Sequence, residues 1–401
     1  MSYFRRGSNL SDVQKDNRSL ILELICTNQT MTRTDLAARS GLAPTTVGNI
    51  VNQLLESGVL IEKGYVQTTR GRRAAILCFN PSSPVVIGVR LSRKSITLGV
   101  FNLDGLLLSS SQLNLNPGWT PQRTIEEVKA LIAAALKKLE AEQTAVVGIG
   151  IAAPGPLIRD GKIVLISNFP GWQDVSLRET IEEEFGLLTV MEHDANAAVL
   201  AEKRRGSYDP SANMIYVVVG QGIGAGLLLN GEIYQGGVET TGEIGHITIC
   251  HDGPRCECGN RGCLEMYCSA RTLLNKANTL GLGDDLTVED VANLAIQGNK
   301  AAEQLLRENA EFLAAGLSSL IYSLGPETVV IGDDMSCAGE YWFEMVVEAL
   351  ESRIIPSVWQ KLTVRLCQSH MDPVLLGIGY LVIEHLIKNP GLLFPDGALS
   401  V

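Results

Sequence analysis

Four of the chain's nine cysteines lie within residues 250–263, and their spacing is the strongest chemical signal in the sequence. Cys256 and Cys258 are separated by one residue, and Cys263 follows after four more. Thiolates this close can converge on one soft cation, with a histidine completing a closed tetrahedral site of the structural kind. Gly259 and Gly262 allow the backbone to fold tightly around such an ion. By spacing alone His246 and His251 compete for the fourth position, and Cys250 and Cys268 are further local donors. Four protein ligands leave no open position for a substrate. The expectation is therefore one structural zinc per chain, not a catalytic one. Cysteines crowded into one loop, in an odd total, fit a reducing compartment better than a disulfide framework.

A second chemistry is carried by basic and amide side chains near the N-terminus. Residues 1–78 hold a charge balance of +4 and the remainder −15. A basic head on an acidic body suits the phosphates of a nucleic acid. Thr68-Thr69-Arg70-Gly71-Arg72-Arg73 reads as a basic hairpin tip, whose arginines suit a narrow minor groove or phosphates. Upstream, Thr45, Thr46, Asn49, Asn52 and Gln53 form a polar, uncharged helix face able to reach major-groove base edges.

The elements that must position these groups follow from periodicity. Ser11–Thr27 reads as a helix with Leu20, Ile21, Leu24 and Ile25 on one face. Thr32 and Asp35 form a capping-box pattern opening a short helix that Gly41 ends. Pro44 starts a third helix, with Val47, Ile50, Val51, Leu54 and Leu55 as its apolar stripe. Two helices joined by a glycine turn are helix-turn-helix geometry. A strand from Gly58, a turn at Gly64-Tyr65 and a strand near Ala74–Phe79 complete a winged domain over residues 1–80. Pro81 and Pro84 mark a linker. Beyond it, strands at Val85–Val89 and Ile96–Asn102 precede a turn at Asp104-Gly105, and the pattern repeats at Met214–Val219, Gly226–Leu229 and Asn230-Gly231. Such duplication, with helices interspersed, points to a two-lobed, actin-like architecture. A last helix, Asp372–Lys388, is expected to return to the first lobe. No run approaches the ~18–20 apolar residues of a membrane span, and no apolar signal core follows Met1–Arg6. A cytoplasmic protein without membrane insertion is expected.

Gly242-Glu243-Ile244-Gly245-His246, followed by Cys256-Glu257-Cys258-Gly259-Asn260-Arg261-Gly262-Cys263-Leu264-Glu265, closely resembles the signature of the ROK family. Asn168-Phe169-Pro170-Gly171-Trp172, Asp194-Ala195-Asn196-Ala197-Ala198 and Arg70-Gly71-Arg72 extend the resemblance over nearly the whole chain. That family contains bacterial sugar kinases and winged-helix sugar repressors. The resemblance implies an α/β protein: an N-terminal winged helix-turn-helix, then a two-lobed, actin-like (ribonuclease H-like) sugar-kinase domain. Lobe I would span 81–200, rejoined by 372–401, and lobe II, with the zinc, 201–371. It implies His246, Cys256, Cys258 and Cys263 as the zinc ligands. It also implies Asn168, Asp194, Glu243, His246 and Glu265 as sugar ligands, with Asp194 matching the kinases' general base. Two positions depart: Glu239 stands where glycine is common, and His193 where the kinases have asparagine.

Phosphoryl transfer needs a phosphate cradle and a place for magnesium. The kinases' aspartate after the first strand is Arg90 here, and Ser92 and Arg93 replace their hairpin glycines. The loop Gly220-Gln221-Gly222-Ile223-Gly224 keeps its glycines but has Gln221 for the usual threonine, and Ile331-Gly332-Asp333 is an eroded form of the nucleotide-side motif. The expectation is a non-enzymatic repressor that binds a double-stranded DNA operator as a homodimer or homotetramer, released by a sugar or sugar phosphate. The alternatives are a sugar kinase with an appended DNA-binding head and a repressor controlled by a protein partner.

Overall fold

The computed structural model describes residues 9–28, 31–67, 73–116, 118–156, 162–166, 169, 171–206, 212–237, 241–368 and 371–393. Arg70, Arg72, Asn168 and Glu239 therefore lie outside the described residues.

In the head, α1 (Leu10–Thr27) opens with a capping box between Asn9 and Asp12. The Thr32–Asp35 box starts α2 (Arg33–Ser40), which ends at Gly41 in the left-handed conformation, φ 69°. Pro44 begins α3 (Pro44–Glu56), which buries Val47, Ile50, Val51 and Leu54. The antiparallel strands β1 (Leu60–Gln67) and β2 (Arg73–Phe79) pair from Leu60 opposite Phe79 to Gln67 opposite Arg73. Gly64-Tyr65 is not the turn that the sequence suggests. Gly64, at φ 73°, lies in a bulge between Glu62 and Tyr65, and the strand continues to Gln67. A bulge absorbs a left-handed residue while the ladder resumes beyond it.

The first lobe comprises β3 (Val85–Leu91), β4 (Ser95–Phe101), β5 (Leu107–Asn114), α4 (Pro121–Ala141), β6 (Val146–Ala153), a small hairpin of β7 (Ile163–Leu165) and β8 (Gln173–Val175), α5 (Leu177–Phe185) and β9 (Thr189–His193). Its sheet has the order β5-β4-β3-β6-β9. Next come α6 (Asp194–Arg205), β10 (Met214–Val219), β11 (Ile223–Leu229) and β12 (Glu232–Ile233). Four helices follow: α7 (Glu265–Cys268), α8 (Ala270–Thr279), α9 (Val288–Ile296) and α10 (Lys300–Leu324). The lobe closes with β13 (Thr328–Gly332), α11 (Gly339–Glu351), α12 (Pro356–Trp359) and β14 (Thr363–Leu366). The second sheet runs β12-β11-β10-β13-β14. Each sheet is an antiparallel meander continued by two parallel strands, so the duplicated pattern in the sequence is a duplicated topology. Helices on both faces bury the parallel strands, which is why Met214–Val219 is an unbroken apolar run.

Between the sheets lie α6 and α13 (Pro373–Lys388). α13 packs on β3 and β6 of the first lobe, and α6 on β10 and β11 of the second. The two helices meet backbone to backbone: a Cβ on Gly377 would lie 1.7 Å from the Ala197 carbonyl oxygen. α6 runs unbroken through residue 200, where the sequence placed the border between the lobes.

The head does not hang on a tether. Ile21, Leu54 and Leu77 of the head share one hydrophobic cluster with Phe101, Ile383 and Leu386 of the body. Arg204, in the last turn of α6, stacks on Tyr380 at 5.0 Å and donates to Glu384 Oε1 at 3.1 and 3.2 Å and to Cys26 Sγ of α1 at 3.5 Å. Lys15 of α1 donates to Asn389 Oδ1 at 2.8 Å, just past α13. The linker is itself bonded: the Asn80 side-chain amide donates to Gly58 O at 2.9 Å and Ser83 N–H to Asn80 O at 2.8 Å. No described helix is long and apolar enough to cross a membrane.

Candidate functional site

A cleft of about 370 Å³ opens between the lobes. One end is built by the glycines of Gly242-Glu243-Ile244-Gly245-His246. A Cβ on Gly242 would lie 2.1 Å from Ala225 O, and one on Gly245 2.4 Å from Ile223 O, so only glycine lets this segment press against β11. The short helical turn Ile244–His246 then brings Glu243 and His246 to the cleft wall. Asp194 reaches the same wall from the first turn of α6, and Glu265 from the first residue of α7. Four of the five expected sugar ligands thus line one cavity, and the fifth, Asn168, lies outside the described residues.

Behind this wall, one donor atom each from His246, Cys256, Cys258 and Cys263 lies within 4.8 Å of the others. Cys258 and Cys263 sulfurs are 3.7 Å apart, and His246 Nδ1 is 3.6 Å from Cys256 Sγ. Tetrahedral zinc with Zn–S bonds of ~2.3 Å requires sulfurs ~3.8 Å apart, so the donor set fits that ion. His251, the competitor by spacing, has a side chain 93% exposed and stands beside Asp252. Burial pushes the Cys256 and Cys263 thiols above the usual range, and the Cys256 thiol meets Glu265 Oε1 at 3.2 Å. Glu265 therefore ties the cysteine loop to the cleft.

His193 was legible only as a departure from a family pattern, yet it sits at the centre of the site. A Cβ on Gly155 of the first lobe would lie 2.6 Å from its ring, and one on Gly224 of the second 3.2 Å, so two glycines sandwich the imidazole between the lobes. Its Nε2 is 3.3 Å from Glu243 Oε1 and its Nδ1 3.6 Å from Asp194 Oδ1. Burial would favour the neutral ring, but Asp194 first and then Glu243 outweigh it and push the pKa up to about 9. The two carboxylates thus favour the protonated ring.

At the opposite end, Arg90 donates to Asp333 Oδ1 and to Asp372 Oδ2, each at 2.8 Å. Burial opposes its charge, but the two carboxylates hold its pKa well above the ordinary arginine value. Lys94 pairs with Asp334 at 2.7 Å, and Gln221 donates to the same carboxylate at 3.0 Å. Asp372 also caps α13, accepting from Val374 and Leu375 N–H. Sequence reasoning placed Asp333 in the nucleotide-side motif but missed its pairing with Arg90, and missed Asp334 and Asp372 altogether as partners at this end. The Asp-Pro opening of the last helix was the only local trace of Asp372.

On the head, Thr45 and Asn49 of α3 are exposed and Thr46 is half-buried. Asn52 is exposed but accepts from Arg33 at 3.2 Å. Gln53 is half-buried and accepts from Arg18 of α1 at 3.1 Å, so it does not belong to the open face expected for it. Arg73 is exposed at the start of β2.

Residues 86–385 match the ROK family, and residues 15–66 match a winged helix-turn-helix DNA-binding family. A xylose repressor of Caldicellulosiruptor bescii is 29% identical over 386 residues, covering 93% of this chain and 97% of the relative. A ROK family transcriptional regulator, a homolog of the E. coli MLC protein, has a similar fold, with a TM-score of 0.79 at 23% identity over 95% of this chain and 99% of that one. A ROK family glucokinase from Streptomyces griseus, solved with glucose and AMPPNP, gives 0.65 at 28% identity over 74% of this chain and 98% of that one.

Proposed function

This chain belongs to the ROK family, and on that premise we propose that it is a sugar-responsive transcriptional repressor without kinase activity. The head binds a double-stranded DNA operator, and a sugar in the cleft releases it. The observation that carries the reading is the contrast between the two ends of the cleft. Asp194, Glu243 and Glu265 converge where hydroxyls need acceptors, while Arg90, Asp333 and Asp372 neutralise one another where a nucleotide's phosphates and magnesium would need free partners. A kept sugar end without a phosphate end serves sensing. Base edges are read by Thr45, Thr46 and Asn49, and phosphates or the minor groove by Arg70, Arg72 and Arg73. Asn168 completes the sugar contacts. His246, Cys256, Cys258 and Cys263 hold a structural zinc whose closed shell neutralises the thiolates, and Glu265 and His246 carry its rigidity to the cleft wall. The chain acts as a homodimer, because a helix-turn-helix reader gains specificity from paired half-sites.

Fluorescence anisotropy on upstream promoter DNA, with and without a sugar panel, tests this reading. A responsive sugar should weaken wild-type binding at least tenfold, whereas Asp194→Ala should bind the same DNA but ignore the sugar. Sugar phosphorylation by ATP and magnesium at about 1–100 s⁻¹, the range of working kinases, would refute it. So would a head that binds random and promoter DNA equally.

A further inference from the structure

The cleft's charge decides which form of a sugar it can hold. Its lining carries six carboxylates, with Asp333, Asp334 and Asp372 at one end and Asp194, Glu243 and Glu265 at the other. Against them stand four cations: Arg90, Arg93, Lys94 and the protonated His193. His246 is committed to the cysteine cluster. The cations do not form a free anion site. Arg90 is shared between two aspartates at 2.8 Å each, and Lys94 is held by Asp334 at 2.7 Å. A phosphate ester entering this end would have to strip those pairs and place a dianion beside three carboxylates in a partly desolvated cavity, where like charges repel far more than in water. A ring bearing only hydroxyls meets no such opposition. Asp194, Glu243 and Glu265 accept from it, and the neutral side chains of Ser92, Thr97, Gln112 and Asn114, also in the lining, both donate and accept.

We propose that the cleft selects an uncharged, unphosphorylated sugar and rejects its phosphate ester, with the Arg90–Asp333–Asp372 and Lys94–Asp334 ion pairs as the excluding element. This rests on the sugar-sensing reading above and adds the ligand's chemical class and the residues that set it. Asp334 is the most accessible of the excluding carboxylates, with 28% of its side chain exposed, so it can be altered with little risk to the fold. Asp334→Asn removes one negative charge and frees Lys94.

Isothermal titration of the full-length protein with D-xylose, D-glucose and N-acetyl-D-glucosamine, each beside its phosphate ester, with inorganic phosphate as control, separates the outcomes. The expected result is that at least one free sugar binds ten times or more tighter than its ester. Asp334→Asn should then tighten the ester at least threefold and leave the free sugar within twofold. An ester that binds as well as its sugar, or inorganic phosphate that displaces the sugar, overturns the proposal while sensing stands. An ester affinity unmoved by Asp334→Asn removes the ion pairs as the cause. If neither sugars nor esters bind, the sensing reading fails and this proposal with it.

Discussion

An imidazole enclosed by carboxylates binds its proton more tightly in the folded chain than in the unfolded one, where histidine titrates near ~6.5. For His193, with its pKa pushed up to about 9, the stabilisation is complete below pH ~6.5 and is lost as the pH climbs through about 9. The melting temperature of the wild type relative to His193→Gln should therefore fall between pH 6.5 and 9. A difference that stays constant over that range would mean the ring is neutral throughout. The cysteine cluster gives a second residue-scale expectation. Elemental analysis should find about one zinc per chain, and Cys258→Ser should lose it and melt several degrees lower, because such a site forms only in the folded protein. A Cys258→Ser protein with full zinc content would exclude Cys258 as a ligand. Spacing made the three signature cysteines legible but did not separate His246 from His251, and only the family resemblance pointed to His246. In the fold, Gly242 and Gly245 lay the segment of His246 against β11, beside the cysteines, while His251 projects into solvent. The sequence likewise exposed Arg90 as a foreign residue, but not its partners, which lie 243 and 282 positions further along the chain.

Two helices begin in the cleft and end at the head. α6 starts at Asp194 and finishes at Arg204 and Arg205, while α13 is capped by Asp372 and finishes beside Lys15. Their backbones touch at Gly377 and Ala197, so a shift of one cannot be absorbed by side-chain rearrangement at that point. Arg204 joins both helices to α1 through Tyr380, Glu384 and Cys26. Arg204→Ala should therefore keep sugar affinity, and DNA affinity without sugar, within about threefold, yet lose most of the sugar's effect on DNA binding. This is a loss of coupling free energy between sites, not of either site. A variant with the wild-type response to sugar would remove Arg204 from the route. At this scale the sequence was informative wherever a local rule acts alone. The Thr32 cap, the Gly41 stop and the Pro44 start are all in place. It failed where a tertiary partner intervenes: Gln53 fits a polar outer face by periodicity, and only Arg18 of a different helix draws it inward.

At the scale of the whole molecule, a continuous apolar cluster from Ile21 and Leu54 through Phe101 to Leu386 gives head and body one shared core. Scanning calorimetry should show the head melting together with the first lobe, without a separate low-temperature transition for residues 9–79. An independent early transition would show that the shared core contributes little. The antiparallel start of each lobe was readable from the repeated strand and turn pattern, whereas the parallel strands β6, β9, β13 and β14 that complete the sheets were not. The docking of the head was not, because Pro81 and Pro84 read as a linker while the groups that fasten the head, Cys26 and Lys15 of α1 against Arg204 and Asn389, lie far apart in sequence. That fastening also limits the genome addresses the protein can use. In the proposed homodimer, with heads fixed to their bodies, the distance and rotation between recognition helices would be set by protein geometry and could not adjust to the DNA. Inserting ~5 base pairs between operator halves, about half a helical turn, should abolish binding by placing one half-site on the far side of the duplex. Inserting a full turn should not restore it, because the face returns but the reach does not.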